Sequence, residues 1–139
     1  MNVFFQFDFE AESDASEIST PVFLAKPASN AEPIKCNAIW DTGATSSMIS
    51  AATAKKLLLA PVGMTQIAGV HGVSNAKCYY VDIIFGNGFK LPKIKVSEAS
   101  DFGGFDILIG MDIISQGIML LDGVSEKKLK VRFQIPTNE

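Results

Sequence analysis

The sequence predicts an all-β fold, a barrel or sandwich carrying one or two short helices. Short apolar stretches alternate with polar positions at a period of two. Gly, Pro, Asn and Asp clusters punctuate them at strand-length intervals. Helical character is confined to residues 51–59 and a short segment from Met111. At 139 residues and 47% hydrophobic content, the chain makes one domain able to bury roughly two thirds of its unfolded-chain surface.

Val3, Phe5, Phe7 and Phe9 alternate as the buried face of a first strand, and the acidic stretch 10–19 reads as a loop. Pro21 to Ala25 forms a second strand, closed by Lys26-Pro27. Pro33 opens a third strand, Ile34 to Trp40, which puts Ile34, Cys36, Ala38 and Trp40 on one face and ends at Asp41. Ser50 is the N-cap of a helix from Ala51 to Leu59, with an apolar stripe of Ala54, Leu57 and Leu58 and a stop at Pro61. A hairpin turns at Gly69-Val70-His71-Gly72 and returns through Tyr79, Val81, Ile83 and Phe85. Gly86-Asn87-Gly88 is the next turn, Leu91 to Val96 the next strand, and Asp101-Phe102-Gly103-Gly104 a loop. Ile107-Leu108-Ile109 is a buried strand that ends on Gly110. A short helix starts at Met111-Asp112 and stops at Gly117. Ile118 to Leu121, the turn Asp122-Gly123 and Lys127 to Ile135 make a closing hairpin. No internal repeat is visible.

The net charge of −3 gives no electrostatic footprint for nucleic acid, and Lys127-Lys128-Leu129-Lys130, flanked by Glu126, reads as a solvated strand end. No apolar run reaches the length of a membrane span. The first ten residues carry acids where a signal peptide is apolar, so the chain as given is expected in the cytoplasm, with neither nucleic acid nor membrane as partner. Cys36 and Cys78 sit in strands and are expected as reduced core thiols, with one bridge between them as the alternative. The single histidine, His71, has no ligand spacing around it, so no metal or other cofactor is expected.

Chemistry concentrates in Ala38-Ile39-Trp40-Asp41-Thr42-Gly43-Ala44-Thr45-Ser46-Ser47, where an apolar strand delivers one carboxylate into a tight turn followed by small residues. Asp-Ser/Thr-Gly arises by chance in roughly one chain in twenty of this length, so the tripeptide is weak by itself. Its context strengthens it. A helix follows, then a glycine-flanked hairpin, then the apolar strand Ile107 to Ile109 turning at Gly110 into a short helix. Asp106 and Asp112 flank that strand, but neither occupies an Asp-Ser/Thr-Gly turn; Asp112 reads as a helix cap or the partner of a basic group. Trp40 reads as a core or subunit-contact residue.

Taken together these segments resemble the retropepsin-like aspartic proteases, in particular uncharacterised bacterial single-domain members. The resemblance rests on Ala38 to Thr45, on Val70-His71-Gly72-Val73, and on Phe105-Asp106-Ile107-Leu108-Ile109-Gly110-Met111-Asp112-Ile113-Ile114. It covers about residues 34–135, the protease core, and leaves residues 1–33 as an N-terminal arm and outer strands. It implies an aspartic endopeptidase in which Asp41 is the catalytic acid and base. Such chemistry needs two facing carboxylates sharing a proton. With one Asp-Thr-Gly turn per chain, the partner is a second copy, and the substrate a peptide or protein. By the same resemblance Thr42 braces the two active-site loops across the dimer, and Gly43 lets its backbone N–H approach the carboxylates. Ala44 and Ala68 contact substrate; Gly69, Val70, His71, Gly72 and Val73 lie at the flap; Ile109 and Gly110 support the catalytic loop. Val3 to Phe9 and Val131 to Ile135 are the expected strands of a dimer sheet. Activity is expected in mildly acidic solution, without metal or covalent intermediate. The alternative reading is a catalytically inactive dimeric peptide-binding or scaffold module on the same fold; a third is a monomeric β-barrel that binds a ligand. The turn at Ala68 to Val73 is less glycine-rich than retroviral flaps, and the arm before Asp41 is longer.

Overall fold

The computed structural model describes residues 4–12, 15–69, 72–100, 103–124 and 128–136. Val3, Val70, His71, Asp101, Phe102, Glu126 and Lys127, named above, lie outside the described residues. The elements run β1 (Phe4–Glu12), β2 (Ile18–Ala25), β3 (Ile34–Trp40), β4 (Met48–Ser50), α1 (Ala51–Lys56), β5 (Gly63–Gly69) and β6 (Gly72–Ile84). They continue through β7 (Lys90–Ala99), β8 (Ile107–Ile109), α2 (Met111–Ile114), β9 (Ile118–Asp122) and β10 (Lys128–Pro136).

Seven strands form one sheet in the order β2-β3-β8-β4-β7-β6-β5, and β2 also pairs with β6. That extra pairing, Phe23 to Ala25 against Ile84 to Asp82, closes the sheet into a barrel. The long strand β6 makes it possible by giving its first residues to β5 and its last to β2. Two contacts are parallel, β3 with β8 and β4 with β7. Buried parallel strands read as continuous apolar runs, as Ile107-Leu108-Ile109 does. The core holds Val22, Leu24, Ala38, Ile49, Val81, Ile83, Ile107 and Ile109.

A second sheet, ordered β1-β10-β9, packs against the barrel through aromatic rings. Phe133 lies 5.2 Å from Trp40, and Phe7 lies 5.3 Å from Phe85. Trp40 also donates its indole N–H to Thr20 Oγ1 at 2.9 Å, which satisfies a polar group that burial would otherwise penalise. β1 continues to Glu12 through the first residues of the expected acidic loop, because Glu10 and Glu12 sit opposite Lys130 and Lys128 of β10. On the same sheet Arg132 Nε donates to Asp8 Oδ1 at 2.8 Å and, with Gln6, holds the Asp8 carboxyl below the usual carboxylate range. These partners come from the far end of the chain, so local composition pointed to a loop. Likewise β10 has a neighbour on each side from Val131 to Gln134, so of the expected dimer-sheet stretch Val131 to Ile135 that part offers no free edge.

Helix α1 is shorter than expected. Ser50 caps it as predicted, its Oγ accepting from Thr53 N–H. The helix stops at Lys56 because Leu58 takes a left-handed conformation, φ 57°. Leu59 N–H then donates to Ala54 O and Leu58 N–H to Lys55 O, a helix-closing pattern that normally holds glycine at this position. Leu58, placed by periodicity on the buried stripe, is instead 76% exposed. Leu58→Gly is therefore expected to stabilise the protein by about 1 kcal/mol. Urea denaturation checks this, and an unchanged midpoint would refute it.

Burial sets the alkaline limit of stability. It pushes the Cys36 thiol up to about 12, with a lesser contribution from Asp106. Tyr79 is raised to about 12 by burial and by its bond to Glu98 Oε1 at 2.7 Å. The fold thus favours both protonated forms. Their stabilisation is complete below their ordinary values of 9.0 and 10.0, and is lost as pH rises toward 12. The melting temperature should fall from about pH 9 upward, and Tyr79→Phe should flatten the upper range of the fall. Identical profiles would contradict the role of Tyr79.

Candidate active site

Asp41 leaves the end of β3 with its backbone N–H donating to Ile109 O at 2.9 Å. Its Oδ1 accepts the Gly43 N–H at 2.8 Å, and its carbonyl accepts the Ala44 N–H at 3.2 Å. The side chain folds back on its own turn, a habit of aspartate two residues before an available N–H. A Cβ on residue 43 would lie 3.2 Å from Asp41 Oδ1, tighter than ordinary contact. Asp41 is half-buried, while Thr42 and Gly43 are exposed.

The loop that follows is clamped by the segment from β8 into α2. Met111 N–H donates to Ala44 O at 2.8 Å, and Asp112 N–H to Thr45 O at 3.2 Å. The first N–H groups of a helix need partners outside it, and here the loop's carbonyls supply them. Gly110 N–H donates to Ser47 Oγ at 3.0 Å. Ser47 donates its hydroxyl to Asp112 Oδ1 at 2.7 Å and its N–H to Oδ2 at 3.0 Å. Asp112 thus grips the loop through Ser47, and also accepts from Ile113 N–H at 3.0 Å. Of the two roles expected of Asp112, helix cap or partner of a basic group, the bond from Ile113 N–H in the first turn of α2 fits the first. Within the chain, Ser47 stands where the second expects a basic group. Asp106 ties neighbouring segments together in the same way, accepting from Asn37 N–H and from the Thr53 hydroxyl, each at 2.8 Å.

Ser47 is fully buried, so losing its carboxylate partner leaves polar groups unpaired. Asp112→Ala is expected to cost about 2–3 kcal/mol, with Asp112→Asn intermediate. Chemical denaturation measures it, and a cost within error of zero would remove Asp112 from the clamp.

Beside the loop lies a cleft of about 470 Å³, lined by Gly43, Ala44, Thr45, Ser46 and Met48 and by Thr65, Gln66, Ile67 and Ala68 of β5, with Ser97. A second cavity of about 430 Å³ shares Met48 and Ile67 with it and carries Lys77 and Glu98. Of the residues singled out by sequence, the fold gathers Asp41, Thr42, Gly43, Ala44, Ile109 and Gly110 at the loop and Ala68 across the cleft. Gly69 pairs with Gly72 and Ala68 with Val73 in the β5–β6 hairpin. Gly72 and Val73 are not among the described residues of the cleft wall, and Val70 and His71 lie outside the described residues. Ser47, Met48, Thr65, Gln66 and Ile67 were not singled out. The hydroxyl run after Gly43 was the one local signal for Ser47; the β5 residues gave none. Among the described residues, no group of three or more His, Cys, Asp or Glu could hold a metal ion. None of their helices is long and apolar enough to cross a membrane.

The sequence profile of the gag-polyprotein putative aspartyl protease family matches residues 30–116, from just before β3 to beyond α2. The chain belongs to this family. The matched span holds β3, the Asp41 turn, the β5–β6 hairpin, β8 and α2. Two solved structures extend the likeness of fold. The retropepsin-like aspartic protease from Rickettsia conorii is 14% identical, with 99% of this chain and 98% of that chain covered and a TM-score of 0.62. The EIAV protease complexed with the inhibitor HBY-793 is 23% identical, with 76% and 91% covered and a TM-score of 0.54. No curated protein matches the chain. The expected all-β, retropepsin-like fold with two short helices is therefore the one this chain adopts.

Proposed function

We propose that the protein is a homodimeric aspartic endopeptidase whose two Asp41 carboxylates come one from each copy. The observation that carries this reading is the Asp41 turn. Its carboxylate is held by Gly43 N–H beside an open cleft, and the chain supplies a single Asp-Thr-Gly. Two carboxylates about 3 Å apart hold one proton between them. The ionised one takes a proton from a trapped water, and the protonated one polarises the scissile carbonyl. Thr42 braces the pair of loops across the dimer. The β5–β6 hairpin, in which Ala68 pairs with Val73 and Gly69 with Gly72, closes over the substrate as a flap and excludes water. Ala44 and Ile67 favour apolar side chains on the bound peptide, and neither metal nor cofactor is involved.

Cleavage of a diverse peptide mixture between about pH 4 and 7, read by mass spectrometry, tests the proposal. Cuts should appear in mildly acidic solution, and the rate per chain should rise with protein concentration as dimers form. A folded dimer that binds peptides and cuts none would instead make the protein a peptide-binding module on the same fold.

A further inference from the structure

The cleft and the cavity of about 430 Å³ meet at Met48 and Ile67, which line both. Two charged side chains, Glu98 and Lys77, line the cavity, and they are held differently. Glu98 is half-buried, and its Oε1 accepts the Tyr79 hydroxyl at 2.7 Å. Tyr79 is itself only 5% exposed, so a packed ring orients the carboxylate through a short, charge-assisted bond. That bond takes up one of the several acceptor positions of a carboxylate. Lys77 is exposed, on a long flexible stem, and among the described residues no ion pair joins it to Glu98. The charge fixed in place is therefore the negative one. Partial burial of a charge is unfavourable unless it is paired, and a cation entering the cavity would supply the pair.

We infer that this cavity takes a basic side chain, Lys or Arg, of the bound peptide, and that Glu98, positioned by Tyr79, selects it. The inference rests on the peptidase reading above and names a feature of its substrate. Along β5, Ala68 and Ile67 line the cleft, and Ile67 and Met64 line the cavity. A peptide lying extended beside β5 advances about 3.3 Å per residue, as β5 does. The side chain over the cavity is then about two to four residues from the one beside the Asp41 turn. The walls suit a long basic side chain: Met48, Met64 and Ile67 pack its aliphatic stem, and Glu98 meets its charged end. An acidic side chain would meet a like charge, and an apolar one would leave the carboxylate unpaired.

Cleavage of matched peptides carrying Arg, Lys, Gln, Leu or Glu at each position about two to four residues from the cut, on either side, tests this. At one of those positions Arg or Lys should raise kcat/KM about 5- to 10-fold over Gln. Glu98→Gln should erase that ratio, because its amide oxygen still accepts the Tyr79 hydroxyl but brings no charge; melting temperatures check the fold. Tyr79→Phe, which frees the carboxylate, should lower the ratio without erasing it. Glu32→Gln controls for net charge and should leave the ratio as it is, since Glu32 is exposed and lines neither space. Cleavage with no basic preference, or with one that survives Glu98→Gln, would overturn the site and leave the peptidase reading intact. A preference for Glu that Lys77→Met abolishes would do the same. If no peptide is cut, fluorescence anisotropy of the same peptides, labelled, decides. Tighter binding of the Arg peptide that Glu98→Gln removes would keep the site and end the peptidase reading; equal or absent binding would end both.

Discussion

Asp41→Asn is expected to abolish peptide cleavage, with a loss of at least ~10³-fold, while the protein keeps its fold. The side chains are nearly isosteric, and the amide oxygen still accepts the Gly43 N–H that Oδ1 accepts at 2.8 Å. The Asp41 backbone bond to Ile109 O is untouched. Stability should therefore change by no more than ~0.5 kcal/mol. What disappears is the ionisable pair, because an asparagine cannot take a proton from water. Subunit mixing gives a stronger form of the test. When variant and wild type are mixed in equal amounts and exchange freely, about a quarter of the dimers retain both carboxylates. Activity per wild-type chain should fall by about half at fixed total dimer, since half of those chains sit in mixed dimers. A variant that cleaves at the wild-type rate would end the proposal for Asp41. Full retention of activity on mixing would end the shared site.

Gly110→Ala is expected to cost about 3 kcal/mol of stability, or about 10 °C in melting temperature. The backbone at Gly110, with φ −100°, suits any residue. Space is what forbids a side chain: a Cβ would lie 2.9 Å from Ala44 O and from Ser46 C, and 3.0 Å from Ser46 O. Those atoms belong to the loop that begins at Asp41, and they are backbone held by the bonds to Met111 and Gly110. The loop must move, so cleavage should fall along with stability. Gly63→Ala is the control, because a Cβ there meets nothing within 4 Å. A Gly110→Ala protein that melts like the wild type would show that the loop yields easily.

Several features were legible residue by residue. The alternation through Ile34, Cys36, Ala38 and Trp40 marked β3, and its bounds agree with the structure. Ser50 announced α1 and Gly110 the turn into α2. Other features were not. β4 is only Met48 to Ser50, too short to show a period, and it exists because β7 and β8 pair with it from either side. The helix stripe misplaced Leu58 because periodicity does not reveal where a chain leaves the helix through a left-handed residue.

By itself the sequence determined the β-rich class, the strand that delivers Asp41, and the presence of one Asp-Thr-Gly turn rather than two. Those properties live in neighbouring residues, where side-chain period and turn chemistry act. The tertiary structure decided what holds that turn and what stands across from it: the Ile109 carbonyl, the Ser47–Asp112 pair 65 residues apart, and the β5 wall of the cleft. It also placed β10 inside its sheet and left β9 at the edge. Hydrogen bonds across such separations depend on which strands the barrel brings together, and no local pattern encodes that choice.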